Sequence, residues 1–220
     1  MMRQTRLMAL TLMLAPGLAA QRPVDAQLAG RVPPSLAASV TALLDSAAVR
    51  GFPGTLLVDK TLEGVAKGAP AELILAAVRT EFGHLDQAAR LLAETGTANA
   101  DAVEAGAFAL RAGLSGGDVA AIARTADRTY PAATALQVAG TLRALGVPRA
   151  ETVGLVRATI RSGRPVSELV SLPGQVQAAT AGGVPPAAAA AGLERAAAAH
   201  LAPRPRGRGQ GQGQENPHKP

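Results

Sequence analysis

Residues 56–82 read LLVDKTLEGVAKGAPAELILAAVRTEF and contain two predicted short amphipathic helices joined by the triplet Gly68-Ala69-Pro70. A glycine just past a helix end can adopt the left-handed conformation that closes the helix. A proline suits the first turn of the next helix, because its missing N–H would have no partner there. The stretch therefore predicts a helix, a tight turn and a second helix. We call the Gly-x-Pro triplet an elbow.

Each of the two predicted helices has an apolar face and a polar face at helical spacing. The first carries Val58, Leu62, Val65 and Ala69 on its apolar face and Lys60, Glu63 and Lys67 opposite. The second carries Ile74, Ala77, Val78, Phe82 and Leu85 on its apolar face and Glu72, Ala76 and Arg79 opposite. We expect the apolar faces to pack and the polar faces to meet water.

The elbow recurs along the chain, and two adjacent pairs of copies are 17 residues apart, which indicates a tandem helical repeat. The five copies are 51–53, 68–70, 146–148, 163–165 and 183–185. Weaker start signals are Pro33-Pro34, Asp86 after Gly83, Asp101 after Asn99, Asp118 after Gly116-Gly117, and Pro131. Together they predict about ten helices, each elbow proline lying within about two residues of a helix start. Leu172-Pro173-Gly174 is expected to divide one unit into two short helices.

The predicted fold class is all-α, because no stretch alternates with the period of a strand. Short antiparallel helices in tandem are typical of a small α-solenoid or a multi-helix array. Hydrophobic residues make up 48% of the chain but aromatic residues only 2%, so the core must consist of small side chains. Such a core buries little area per residue, and we expect modest stability.

The chain divides into four predicted segments. Residues 1–20 have the basic start, the apolar run and the small residues of a secretory signal peptide, and cleavage after Ala19, Ala20 or Ala26 fits. A retained membrane anchor is disfavoured because the apolar run, residues 7–15, is shorter than a membrane span. We therefore expect export to the periplasm or the extracellular space, with no transmembrane helix after cleavage.

The other three segments are a flexible linker (21–32), the helical-repeat domain (33–202) and a basic tail (203–220). The tail reads PRPRGRGQGQGQENPHKP, contains no apolar residue besides proline, and is predicted to be disordered. The helix before it is almost pure alanine from Pro185 to Leu201, so we expect it to form readily and to pack weakly.

The stretch 56–79 also resembles a segment of exported bacterial proteins of unknown function. The segment in those proteins has the pattern LLxKxLEGxxKGxPxExIxxAVR, which this chain matches from Lys60 to Arg79. The resemblance is confined to this stretch. It implies export, and it implies no activity, cofactor or site residue.

The residues that carry most enzyme chemistry are scarce. The chain has no cysteine, and its three histidines, His84, His200 and His218, are far apart and are interpreted as partly exposed residues at helix ends. The motifs of serine hydrolases, zinc proteases and phosphate-binding or dinucleotide-binding loops are absent, and Gly116-Gly117 and Gly182-Gly183 are interpreted as helix breaks. We therefore expect no enzyme, no metal and no cofactor.

The positive charge is concentrated at the two ends of the sequence. The chain carries +6, whereas residues 20–202 contain 16 basic and 15 acidic residues, a net +1. Nucleic acid is disfavoured as a partner, because an exported protein is separated from the nucleic acid of the cell and because the tail has no aromatic residue for base stacking. The candidate contacts for an anion are Lys60, Lys67, Arg204, Arg206 and Arg208.

For the two lysines the alternative is a solvated face in which Glu63 and Lys67 form an ion pair, and we favour it. For the arginines the alternatives are a solubilising tail and weak attraction to anionic lipid or polysaccharide. The sequence thus favours an exported, non-enzymatic protein that binds an unidentified protein partner or acts as a scaffold in the envelope. The alternatives are binding to the envelope surface through the tail and, disfavoured, an enzyme without a recognisable motif.

Overall fold

The computed structural model of the protein describes residue 28 and residues 30–201, and every regular element within them is an α-helix. The predicted all-α class is therefore confirmed. The helices are α1 (Pro34–Val49), α2 (Thr55–Ala66), α3 (Ala71–Glu94), α4 (Ala100–Arg111), α5 (Gly116–Ala123), α6 (Ala132–Ala144), α7 (Arg149–Arg161), α8 (Val166–Ala181) and α9 (Pro186–Leu201).

The elbows are helix boundaries, as predicted. Helix α2 begins two residues after Pro53, and α3, α7, α8 and α9 each begin directly after their elbow proline. The elbow glycines have positive φ angles between 65° and 89°. At the end of α2, the Gly68 N–H donates to the Val65 carbonyl (2.9 Å) and the Ala69 N–H donates to the Gly64 carbonyl (3.0 Å). This is a Schellman motif, which supplies donors for the last carbonyls of the helix.

The weaker start signals give a mixed result. Asn99 caps α4 by accepting from the Ala102 N–H (2.8 Å), and Asp118 lies in the first turn of α5, where it accepts from the Ser115 N–H (2.9 Å). The prediction that Gly116-Gly117 breaks a helix is wrong, since these residues begin α5. Helix α5 can begin at two glycines because Ser115, its N-cap residue, forms a capping box with Asp118.

The predicted helix start at Asp86 is also wrong, because Asp86 lies in the middle of the 24-residue α3. The buried side chains of Val78, Leu85 and Leu92 continue on one face through Gly83, so packing outweighs the cost of about 1 kcal/mol for a glycine within a helix. The Asp86 carboxylate instead forms ion pairs with Arg50 and Arg90. The described residues therefore form nine helices in place of about ten.

Helix α8 runs without interruption through Pro173, so the predicted division into two short helices is wrong. A proline within a helix removes one backbone hydrogen bond and costs about 3 kcal/mol. Leu169, Leu172 and Val176, before and after the proline, are all buried on the same side of the helix. Their common packing surface holds both halves of α8 in line.

The helices form two layers. In the described part of the chain, extensive packing joins helices that are one or two positions apart in chain order. The odd-numbered helices therefore lie in one layer, where α3 packs on α1 and α5, and α7 packs on α5 and α9. In the even-numbered layer α4 and α6 pack closely and α6 packs on α8, whereas α2 and α4 have no extensive contact. This is the architecture of a short helical array.

The core contacts follow the predicted face in α3 but only in part in α2. Leu57, Val58 and Thr61 are buried in α2, whereas Leu62 and Val65, which were predicted for the packed face, are only partly buried. Helix α2 is thus rotated about its axis relative to the predicted orientation. In this orientation Gly64 lies against α3, where an added Cβ would lie 2.7 Å from Ile74 Cγ1. The absence of a side chain at Gly64 therefore sets how closely the two helices approach.

The two ends of the described region also show how the core is built. Leu28 and Val32, which lie in the predicted linker, are 2% and 8% exposed and belong to the core, so packing begins before residue 33. Among the side chains that the structure describes in α9, the buried ones are alanines: Ala189, Ala190 and Ala197. The predicted signal peptide (1–20) and the predicted tail (203–220) lie outside the described residues.

Candidate functional site

A groove runs along the outer side of the even-numbered layer. It consists of three adjoining cavities of about 430, 260 and 360 Å³. Leu56 and Arg111 line both the first and the second cavity, and Glu104 and Gln137 line both the second and the third. The third ends at Val170 of α8. The groove therefore crosses α2, α4 and α6 and reaches α8.

Each lining helix contributes one face. From α2 come residues 56, 59, 60 and 63, and from α4 come residues 101, 104, 108 and 111. These spacings of three and four place the residues on a single face of each helix. The opposite sides of both helices are turned to the core, with Leu57 of α2 and Ala107 of α4 fully buried. The groove is thus a consequence of the layer packing and not of a loop.

The groove is acidic, although the domain as a whole is nearly neutral. Its lining includes five carboxylates and two cationic side chains, a net charge of −3. Among the described residues, no cation lies within ion-pair distance of Asp59, Asp101 or Glu104. All three are exposed. The potential of the groove therefore favours a cationic ligand.

The predicted anion contacts Lys60 and Lys67 both bind Glu63. Lys67 Nζ donates to Glu63 Oε1 (2.5 Å) and Lys60 Nζ donates to Glu63 Oε2 (2.9 Å). These bonds, led by the one from Lys67, lower the pKa of Glu63 from 4.5 to about 2. Because the pKa is lower in the folded protein, the interaction is stabilising above about pH 4.5 and is lost as the pH falls towards 2. Of the two lysines, only Lys60 lines the groove.

The anion-binding role of the two lysines stays a prediction. Arg204, Arg206 and Arg208, the other candidate anion contacts, lie outside the described residues.

A buried ion pair lies in the wall of the first cavity of the groove. The Glu81 side chain is only 3% exposed, and Arg111 Nη1 donates to its Oε1 (2.6 Å). The Arg111 guanidinium also lies over the Phe108 ring, 5.4 Å from its centroid. A buried carboxylate requires such a partner, because burial without one is costly. The pair joins α3 to α4 and holds Arg111 at the surface of the groove.

The histidines do not form a site in the described part of the chain. His84 lies in the middle of α3, so its predicted place at a helix end is wrong, and its Nδ1 is 4.0 Å from Glu81 Oε2. His200 is exposed near the end of α9, and His218 lies outside the described residues. Among the described residues no cluster of three or more His, Cys, Asp or Glu side chains could hold a metal ion.

The chain was compared with models of protein families, with curated proteins and with solved structures, and none of them matches. The resemblance of residues 56–79 to exported bacterial proteins stays a prediction. None of the described helices combines the length and the apolar composition needed to cross a membrane.

Proposed function

We propose that this is an exported helical-repeat protein that binds a polypeptide partner along the groove and catalyses no reaction. The observation that supports the proposal is the continuity of the groove across α2, α4, α6 and α8. Helical arrays commonly use such extended surfaces to bind other proteins.

The length of the groove favours a polypeptide over a small molecule. Packed helices such as α4, α6 and α8 lie about 8–10 Å apart, and α2 adds a step of at least similar width, so a groove from α2 to α8 is on the order of 25 Å long. An extended chain rises about 3.3 Å per residue, so seven or eight residues would fill the groove. Leu56, Phe108 and Val170 give apolar contacts at intervals along it, and the carboxylates between them can accept hydrogen bonds. This mixture of contacts suits a peptide segment.

The state of the ionisable groups argues for binding rather than catalysis. General acid–base catalysis needs a group whose pKa lies near the working pH. The pKa of Glu63 is instead lowered to about 2 by Lys67 and Lys60, so this carboxylate stays ionised. Glu81 is held by Arg111, and Asp59, Asp101 and Glu104 are exposed. These groups provide charge and hydrogen-bond acceptors, which is what a binding surface requires.

A bulky residue in the middle of the groove should prevent binding of the partner. We expect Gln137→Trp to abolish capture of the partner from the exported fraction, because Gln137 is exposed and lines two adjoining cavities. The matched control is Gln177→Trp, which changes an exposed glutamine of α8 that lines none of the three cavities. Captured proteins are compared by mass spectrometry, and circular dichroism checks that both variants fold. Equal capture by the two variants contradicts the proposal.

Export makes a separate prediction. If residues 1–20 act as a signal peptide, the mature protein should begin near Ala20, Gln21 or Gln27, and mass spectrometry of the native protein identifies this N-terminus. A cytoplasmic protein that retains Met1 contradicts export. That result would leave the groove as a binding surface and would place its partner inside the cell.

A further inference from the structure

We propose that the basic segment of this chain that contains Arg204, Arg206 and Arg208 binds in the acidic groove of the same molecule and competes there with the partner. The inference deepens the proposed function, since it concerns the same groove. It rests on three observations: the excess of carboxylates in the groove, the position of the end of α9, and the charge of the segment.

Within the described residues, the groove carboxylates nearest to α8 have no cationic partner. Asp101 and Glu104 line the same cavity as Val170 of α8, and within the described residues neither forms an ion pair. Both side chains are exposed, so a guanidinium group can approach them from solvent. Arginine is well suited to this, because its planar group forms two parallel hydrogen bonds with a carboxylate.

The end of α9 lies near the end of the groove that reaches α8. A connection of only four residues, 182–185, joins α8 to α9, and the two helices pack against each other. Helices joined by such a short connection run antiparallel. Leu201, the last residue of α9, therefore lies near the start of α8. Val170 is four residues from that start, so the third cavity opens close to the point where the basic segment begins.

The segment is long enough to reach the cavity. Arg208 is the seventh residue beyond Leu201, and seven residues of extended chain span about 23 Å. A helix with its side chains is about 10–12 Å in diameter. The chain can therefore pass around α8 and bring Arg208 to the cavity that Asp101 and Glu104 line.

Attachment to the same chain compensates for the weakness of each contact. Ion pairs between exposed groups are individually weak and are screened by salt. A segment attached a few residues away has an effective concentration in the millimolar range, which is enough to occupy a weak site. An external partner must then displace the segment, so the segment limits binding to partners that compete successfully for the groove.

The lack of cysteine in the chain permits a direct test on the full-length protein. A nitroxide spin label is attached to a single cysteine introduced by Gln212→Cys, and the amide signals of the ¹⁵N-labelled protein are recorded with the label oxidised and reduced. We expect loss of the amide signals of Asp101, Glu104 and Gln137 in the oxidised state. The signals of Ala76 and Arg79, on the exposed face of α3 in the other layer, should remain.

Two sets of substitutions test whether charge causes the effect. The groove signals should return when Arg204, Arg206 and Arg208 are all replaced by glutamine. They should also return in Asp101→Asn/Glu104→Gln, but not in the matched control Glu72→Gln/Glu94→Gln, which removes two exposed carboxylates of α3 that line no part of the groove. High salt should restore them as well. Signals that stay lost in the arginine variant overturn the proposal.

A mixed sample separates binding within one molecule from binding between copies. Spin-labelled protein without ¹⁵N is added to unlabelled ¹⁵N protein, and we expect no loss of groove signals. Loss in this sample means that the segment binds a second copy, which overturns the proposal. The experiment needs no partner, so its result is independent of the Gln137→Trp capture test. If Gln137→Trp and Gln177→Trp capture the same proteins but the amide signals of the groove are still lost, the proposed function is wrong and the groove nevertheless binds the segment.

Discussion

Replacement of Ile74 by alanine is expected to lower the free energy of unfolding by about 2–5 kcal/mol. Ile74 is 4% exposed and lies against Gly64 of α2, which has no side chain that could fill the space left by the truncation. The cost includes both the lost burial and the cavity. Because domains are stable by only about 5–15 kcal/mol, the loss is a large part of the total.

Urea denaturation followed by circular dichroism measures this loss, with Leu73→Ala as the matched control. Leu73 neighbours Ile74 in α3 but is 63% exposed, so the same kind of truncation should change stability by less than about 0.5 kcal/mol. Lys60→Ala should also have a small effect, because the lysine is paired with Glu63 at the surface. If Lys60→Ala or Leu73→Ala destabilises the protein as much as Ile74→Ala does, the faces of α2 and α3 are assigned incorrectly.

Removal of the cation from the buried ion pair should have the second large effect. Arg111→Ala leaves the carboxylate of Glu81, whose side chain is 3% exposed, without its partner. Breaking a buried pair in this way costs about 3–5 kcal/mol, and we expect the lower end because Arg111 itself is 40% exposed and water can enter its place. Thermal and urea denaturation of the variant measure the loss.

The double variant Glu81→Leu/Arg111→Met distinguishes an orphaned charge from a loss of packing. Replacement of both members by apolar groups of similar size is often neutral or stabilising, so the double variant should be more stable than Arg111→Ala. Arg90→Ala is the control at the surface, because Arg90 is 67% exposed in its pair with Asp86 and should contribute about 1 kcal/mol or less. If the double variant is no more stable than Arg111→Ala, the unpaired charge of Glu81 is not the cause of the destabilisation, and the loss comes from the packing of the Arg111 side chain.

The parts of the fold that could be predicted are those in which local sequence acts alone. An elbow such as Gly68-Ala69-Pro70 ends one helix and starts the next through backbone conformation, and this needs no knowledge of neighbours. Gly83 and Pro173 show the limit of such signals. Both weaken a helix locally, but side chains packed on each side of them hold the helix together, and the strength of that packing depends on residues distant in sequence.

The groove could not be predicted for a similar reason. Glu104, Gln137 and Val170 come from three helices and share no motif, so only the packing of the even-numbered layer brings them together. Glu81 left a detectable signal, since it interrupts the apolar stripe between Val78 and Leu85 as a charged residue at helical spacing. A carboxylate in that position requires a cation from another helix, although the stripe alone does not identify which cation.

The layered packing affects how the molecule unfolds as well as what it binds. Since extensive contacts in the described region join only helices one or two positions apart, stability is approximately a sum of neighbouring interactions, and contacts are short-range in sequence. An end helix can then open without disturbing the helices three or more positions away. Among the side chains that the structure describes in α9, the buried ones are alanines, so opening of this helix exposes little apolar area per residue. Detachment of α9 removes the anchor of the basic segment beside the groove, so local unfolding at one end of the array controls access to a site on its side.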